Sequence, residues 1–483
     1  MAEAERDSVP TNTNKEPHTQ PQGFGLRYSL FVGLPLVLIA VTILYGDATR
    51  SPAVPLEESS GRTGGIGSSH SLLLLLSQIA VILMAARSAG RILRKMGQPQ
   101  VIGEMAAGIL LGPSLLGWLV PDFYAMLFPA DSLVALNALS QVGIVLFMFV
   151  VGLELDPALV RERGHAAVLT SHASITAPFL LGALLALPLY ASFAGPGVRF
   201  AHFALFMGAA MSVTAFPVLA RILTERKLLG TRLGAVAITC AAIDDVTAWC
   251  ILAAVAALVR SGADGLPLWA TAVGTIAFTA FVLTIGRRLL ARLADVYERR
   301  GHAGGDLIAF VIFVALAGAW ITEWLGVHAL FGAFVVGVAM PKHPPLMRAL
   351  FDRLEELLVV LLVPLFFAFT GLRTRFGLIS GAEMWLTCGA IVLVAIAGKL
   401  GGSAIAARAT GLTWREASAI GVLMNTRGLV ELVFLNVGFE LGVMTPALFA
   451  MMVLMALTTT FMTTPLLALV WPTPSGAAPE KPA

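Results

Sequence analysis

Blocks of about 20 apolar residues, parted by short polar connections, run along almost the whole chain. A bilayer core is crossed only by elements whose backbone groups are all paired internally, and a helix of about 20 residues is the shortest common solution. Charged residues make up only 13% and hydrophobic ones 57%, where soluble domains carry about 25% charged residues. The reading is therefore an all-α polytopic membrane protein. Spans are expected at 26–46, 71–93, 101–118, 132–155, 165–190, 199–222, 232–259, 267–286, 306–324, 326–341, 354–372, 382–407, 414–438 and 443–470.

The polar connections alternate in charge. One set holds Arg91, Arg94, Lys95, Arg161, Arg163, Arg226, Lys227, Arg232, the arginines at 287, 288, 292, 299 and 300, Lys342, Arg348, Arg353, Arg408 and Arg415. The other holds Arg50, Arg62, Arg199, Arg260, Arg373 and Arg375. The positive-inside rule puts the richer set, and with it both termini, in the cytoplasm of a cell-membrane protein.

Residues 1–25 are polar and read as a disordered tail. Residues 26–46 read as an extra span, with a secretory signal as the alternative. A Gly/Ser/Pro-rich loop follows to residue 70, then a transmembrane domain over 71–470. A short cytoplasmic tail, 471–483, is expected to carry no soluble regulatory domain. Cys240, Cys250 and Cys388 all fall inside apolar spans, which points away from a disulfide framework. No phosphate-cradling loop, metal-ligand cluster or nucleic-acid-binding patch is present, so neither a cofactor nor an enzymatic reaction is expected.

Against that apolar background a few polar residues stand out. Asp244 and Asp245 lie about a dozen residues, or roughly 18 Å of helix, beyond Arg232, which places them near mid-membrane. An uncompensated charge there costs at least about 2.5–3.5 kcal/mol. Neighbours on a helix point about 100° apart, so the two acids face different partners. One is suited to bind a cation while the other is held by a fixed positive charge. Lys399, in IVLVAIAGKLGGS, is the candidate counter-charge; the alternative is a lysine snorkelling to the cytoplasmic surface. Glu104 and Glu154 fall near span ends, where capping or interfacial solvation is expected, and His328 reads as a packing histidine.

An internal echo supports a site in the same place. LFMFVVGL (146–153) and LFFAFTGL (365–372) fall in spans seven apart, an odd offset that makes the copies antiparallel. The same offset pairs MSVTAFPVLAR (211–221) with LMNTRGLVEL (423–432). The first contains Ser212, Thr214 and Pro217; the second contains Asn425, Thr426, Arg427 and Gly428. Both read as helices interrupted in the membrane, which is tolerated only where protein or water covers the backbone. Arg427 and Glu431, spaced i and i+4, read as an ion pair that holds the second break in shape.

These residues resemble a known family. QVIGEMAAGILLGPSLLG (100–117), LFMFVVGLELD (146–156), SVTAFPVLARIL (212–223), AAIDDVTAW (241–249), GVHALFGAFVVGVAMP (326–341), LLVPLFFAFTGLRT (361–374) and MNTRGLVELVFLNVG (424–438) are similar to monovalent cation/proton antiporters of the sodium/hydrogen exchanger superfamily. Within it the likeness is to the cation:proton antiporter-2 type, the plant-type cation/proton exchangers and their bacterial relatives. The resemblance implies inverted-topology repeats, two crossed interrupted helices, and a homodimer with a dimerisation domain and a mobile, elevator-like core domain. It implies that Asp245 binds cation and proton in turn, that Asp244 pairs with Lys399, and that Thr214 lies beside the ion. Many plant-type relatives carry Asn at the first acid, so their stoichiometry is not carried over. Exchange would be electrogenic if Lys399 releases a proton on cation binding. The implied partners are Na+ or K+, protons and membrane lipid.

Three other classes meet obstacles in the residues. A cation channel needs a continuous filter, and no TVGYG-like run occurs. An aspartyl protease needs two acids facing one another from separate helices. An organic-anion carrier is expected to show a basic or polar site without the acid pair.

Overall fold

The computed structural model of the protein describes residues 24–50, 70–154, 164–226, 228, 231–260 and 267–472, and among these it is almost entirely helical. The helices are α1 (Leu26–Thr49), α2 (Leu72–Lys95), α3 (Ile102–Leu119), α4 (Leu133–Glu154), α5 (Val168–Phe193), α6 (Phe200–Ser212), α7 (Phe216–Glu225), α8 (Arg232–Val259), α9 (Trp269–Arg300), α10 (Gly305–Trp324), α11 (Ala329–Ala339), α12 (Pro344–Leu378), α13 (Gly381–Ala409), α14 (Trp414–Met424), α15 (Leu429–Glu440) and α16 (Pro446–Val470). Eleven of them are long and apolar enough to cross a membrane. The pairs α6–α7 and α14–α15 each replace one expected span with two half-helices. Of the proposed tail 1–25, loop 47–70 and tail 471–483, only residues 24–25, 47–50, 70 and 471–472 fall within the described residues.

Three boundaries differ from the sequence reading. The basic stretch at 287–300, expected as a loop, continues α9 as an amphipathic helix. Nothing in it breaks a helix until Gly301 closes the end at φ 69°. α12 starts ten residues earlier than expected, at Pro344, and absorbs a π-turn at Leu358–Leu362. The expected span 326–341 is a helix of only 11 residues, about 16 Å long.

The helices sort into two bundles. α2, α3, α4, α10, α11 and α12 pack on one another. α5, α6, α8, α13 and α14 form the second group, with α1 laid along α5 and α6. Glycines set the closest approaches in the first bundle. A methyl on Gly152 of α4 would come 3.0 Å from Cα of Gly337 on α11. One on Gly108 of α3 would come 2.6 Å from Cα of Ala368 on α12, beside Gly371. Gly152 and Gly371 are the matched glycines of LFMFVVGL and LFFAFTGL. The seven-span offset that relates them also relates α3 to α11, so the two contacts are each other's counterparts.

In the second bundle, Gly398 and Gly402 let α13 lie against α5. Methyls there would come within 2.7 Å of Pro178 Cα and 2.6 Å of Ala177 Cβ. That approach carries Lys399 inwards, from a π-turn at Ala397–Gly401. Asn436 of α15 ties that half-helix to the first bundle by donating from Nδ2 to Thr370 Oγ1 of α12 at 2.8 Å.

Candidate functional site: two broken helices around a pair of acids

α6 stops at Ser212 and α7 starts at Phe216; α14 stops at Met424 and α15 starts at Leu429. The breaks meet one another: the backbone N–H of Ala215 donates to the carbonyl of Thr426 at 3.0 Å. Pro217 in the first turn of α7 has no N–H to give, which suits a helix start. At Arg427 the backbone groups that the break leaves without helical partners are satisfied from α16. Thr460 Oγ1 accepts from the Arg427 N–H at 3.1 Å and donates to its carbonyl at 2.8 Å.

Three helix ends at the crossing face a charge of matching sign. The C-terminal carbonyls of α6 meet two cations, as the end's partial negative charge favours. Arg427 donates from Nη1 to Ala210 O at 3.0 Å and from Nη2 to Met211 O at 2.7 Å, while Lys399 Nζ donates to Ser212 O. Acids face the half-helix N-termini. Glu431 lies in the first turn of α15 and accepts from Arg427 Nη1 at 2.8 Å. The backbone N–H of Phe216, at the start of α7, is directed at Asp245 without closing to hydrogen-bonding geometry. Arg427, Glu431, Lys399 and Asp244 are all wholly buried.

The two adjacent acids are treated in opposite ways. Asp244 is saturated: Ser171 Oγ donates to Oδ1 at 2.6 Å, and Ser174 Oγ, Thr214 Oγ1 and Lys399 Nζ donate to Oδ2 at 2.6, 2.8 and 2.9 Å. Asp245 is 1% exposed, and neither of its oxygens has a hydrogen-bond partner. Unpartnered polar atoms also line the facing break: Asn425 Oδ1 and Nδ2 and Thr426 Oγ1. Native interiors pair nearly all such groups, so a cluster of exceptions calls for a ligand, an ion or water. A carboxylate, an amide oxygen and a hydroxyl are the hard oxygen donors that alkali cations prefer.

The structure brings Asp244, Asp245, Thr214, Lys399, Ser212, Asn425, Thr426, Arg427, Gly428 and Glu431 to this one crossing. Thr214 donates to Asp244 rather than to Asp245. Ser212 Oγ bonds within its own helix and to α5, reaching Gly208 O at 2.6 Å and Ile175 O at 3.1 Å. Lys399 does not snorkel.

One expectation needs correction. Glu104 is not solvated at an interface: it is 3% exposed and accepts from Gln100 Nε2 at 2.8 Å. It lines a cavity of about 470 Å³ together with Arg87 of α2, Glu154 of α4 and Arg221 of α7. Close packing of α3 against α2 is what buries it. His328 caps α11, its Nδ1 accepting from the Leu330 N–H at 3.5 Å. Ser171 and Ser174 went unnoticed in the sequence. Their only signal is a pair of hydroxyls spaced i and i+3 inside an apolar span.

Two half-helices meeting beside a pair of buried acids, inside a bundle of helices long and apolar enough to cross a membrane, define a polytopic membrane protein with a polar site in its interior. Comparison with known proteins narrows the class. The family described as sodium/hydrogen exchanger, transmembrane, matches residues 79–470. The Na(+)/H(+) antiporter NhaS4 of Synechocystis sp. is 42% identical over 84% of this chain and 99% of its own length. Cation/H(+) antiporter 17 of Arabidopsis thaliana is 41% identical over 83% of this chain and 49% of its own length. K(+)/H(+) antiporter 1 of Saccharomyces cerevisiae is 35% identical over 84% and 47%. The chain thus spans nearly all of the cyanobacterial relative and about half of the plant and yeast ones. The structure of the sodium proton antiporter MjNhaP1 from Methanocaldococcus jannaschii shares the fold, with a TM-score of 0.58 at 13% identity, over 83% of this chain and 97% of that one. The chain belongs to the sodium/hydrogen exchanger family.

Proposed function

We propose that this protein exchanges a monovalent cation, Na+ or K+, for protons by alternating access, with Asp245 as the carboxylate that takes each in turn. The contrast between a saturated Asp244 and an unpartnered Asp245 carries the reading. A bare carboxylate at that depth is costly. Protonation or cation binding each neutralises it, and the two exclude one another. Only the neutralised forms then cross the barrier between the two faces. Asn425 and Thr426 supply further oxygens to the cation, and Thr214 acts through Asp244. The names of the relatives favour both alkali cations, sodium in the cyanobacterial protein and potassium in the yeast one.

The cavity lined by Arg87, Glu104, Glu154 and Arg221 serves as the cytoplasmic approach to the crossing. The bundle of α5, α6, α8, α13 and α14 is the mobile core, and the bundle around α3, α4, α11 and α12 is the fixed partner through which a homodimer forms. The excess of basic residues in alternate connections supports a cell-membrane protein with both termini in the cytoplasm.

Lys399 sets the stoichiometry. A cation at Asp245 repels the ammonium, and Asp244 keeps three hydroxyl donors once the lysine gives up its proton. Two protons then leave for one cation, and exchange carries net charge. In proteoliposomes an imposed membrane potential is expected to change the exchange rate severalfold, and Lys399→Ala to remove that dependence. Exchange that ignores voltage in the wild type contradicts the role given to Lys399.

A further inference from the structure

α1 ends before the residues that match the family begin, at 79, yet it is fastened to the Asp244 side of the site. The fastening starts from a proline. Pro35 has no N–H, so the carbonyl four residues earlier, on Phe31, lacks its helical donor. The helix passes this point through a π-turn at Ser29–Gly33. Thr176 of α5 supplies the missing donor: its Oγ1 lies 3.0 Å from both Phe31 O and His172 O. One turn away, Tyr28 OH shares a hydrogen bond of 2.9 Å with His172 Nδ1, and the two rings meet edge to face. The ends of α1 are tied to the same bundle. Arg27 Nη1 donates to Ala409 O at 2.6 Å, at the end of the helix that carries Lys399, and Asp47 pairs with Arg199 at the start of α6.

The segment of α5 between these ties, 171–176, is the one that holds Asp244 and Lys399 together. Ser171 and Ser174 donate to Asp244, and the carbonyl of Ser174 accepts from Lys399 Nζ at 3.0 Å. We infer that α1 is a strap of the ion-carrying bundle, in which Tyr28 and the Phe31 carbonyl are positioning groups that hold the Ser171–Ser174 turn and thereby keep Lys399 on Asp244 and off Asp245. Without the strap the turn relaxes, the ammonium gains reach to the neighbouring carboxylate, and it competes there with the transported cation. The inference rests on the antiport reading above.

The test uses the full chain in proteoliposomes, with Na+ and K+ each titrated against proton movement. Tyr28→Phe and Thr176→Val are each expected to raise the half-saturating cation concentration about fivefold, the factor that one net hydrogen bond of about 1 kcal/mol corresponds to. Maximal rates should stay within about twofold. His172→Gln keeps a polar partner for the tyrosine and should stay near wild type. His172→Leu should match Tyr28→Phe, and the two changes together should be no worse than either alone. Unchanged half-saturation in Tyr28→Phe and Thr176→Val overturns the inference, including when their thermal midpoints fall, because α1 is then packing only. Asp245→Asn, run alongside, separates this from the broader reading: exchange that survives it rejects the antiport site itself, whatever the strap variants do.

Discussion

Asp245→Asn is expected to abolish cation-driven proton movement in everted vesicles while leaving insertion and yield near wild type. The amide is nearly the size of the carboxylate and fits the same buried position. It removes the negative charge, and with it both the proton site and the strongest cation ligand. The loss should reach the detection limit, because no other carboxylate at the crossing has both oxygens unpartnered among the described residues. Stability should stay near wild type, since the amide takes the place of a buried carboxyl that has no hydrogen-bond partner to lose. The neighbouring Asp244→Asn behaves otherwise. It breaks the pair with Lys399 and disturbs four donors at once, so it should lower the thermal midpoint as well as transport.

Arg427→Ala is the substitution with the largest expected effect on folding. Its guanidinium spans three acceptors, Glu431 and the carbonyls of Ala210 and Met211, from a wholly buried position. Truncation orphans the end of α6 and leaves Glu431 as an uncompensated charge. Breaking a buried pair this way costs about 3–5 kcal/mol. The expected readout is a sharply lower yield of monodisperse protein in detergent and a reduced thermal midpoint. Arg427→Lys keeps a charge but loses the planar fork, so it should recover only part of the loss. Adding Glu431→Gln to Arg427→Ala should recover some stability by removing the stranded charge. An Arg427→Ala protein with the wild-type midpoint would mean that the ion pair does not hold the break.

Much of this could be read from the sequence because membrane-spanning helices obey a length rule and a backbone rule at once. The spans followed from apolar blocks, and the breaks followed from Pro217 and from Asn-Thr-Arg-Gly at 425–428, which no continuous apolar helix needs. The i,i+4 spacing of Arg427 and Glu431 gave their pairing from local geometry alone. What stayed hidden depends on tertiary approach. Ser171 and Ser174 look like ordinary hydroxyls of an apolar helix, where such groups commonly bond their own preceding turn, as Thr275 and Thr279 do in α9. Only the placement of α8 and α13 against α5 turns them towards Asp244. Glu104 was misplaced for a related reason: its depth depends on how closely α2 and α3 pack, which periodicity does not encode. The helix at 287–300 was missed because its basic residues signalled a loop in the charge count while its apolar spacing still favoured a helix.

The central claim is that cation and proton compete for one buried carboxylate. The most direct measurement is calorimetry of Na+ and K+ binding to the detergent-purified protein, repeated in buffers of different ionisation enthalpy so that released protons are counted. The account predicts that cation binding releases protons from the wild type and that Asp245→Asn shows neither binding nor release. Cation binding with no proton released, or binding that persists in Asp245→Asn, would contradict it.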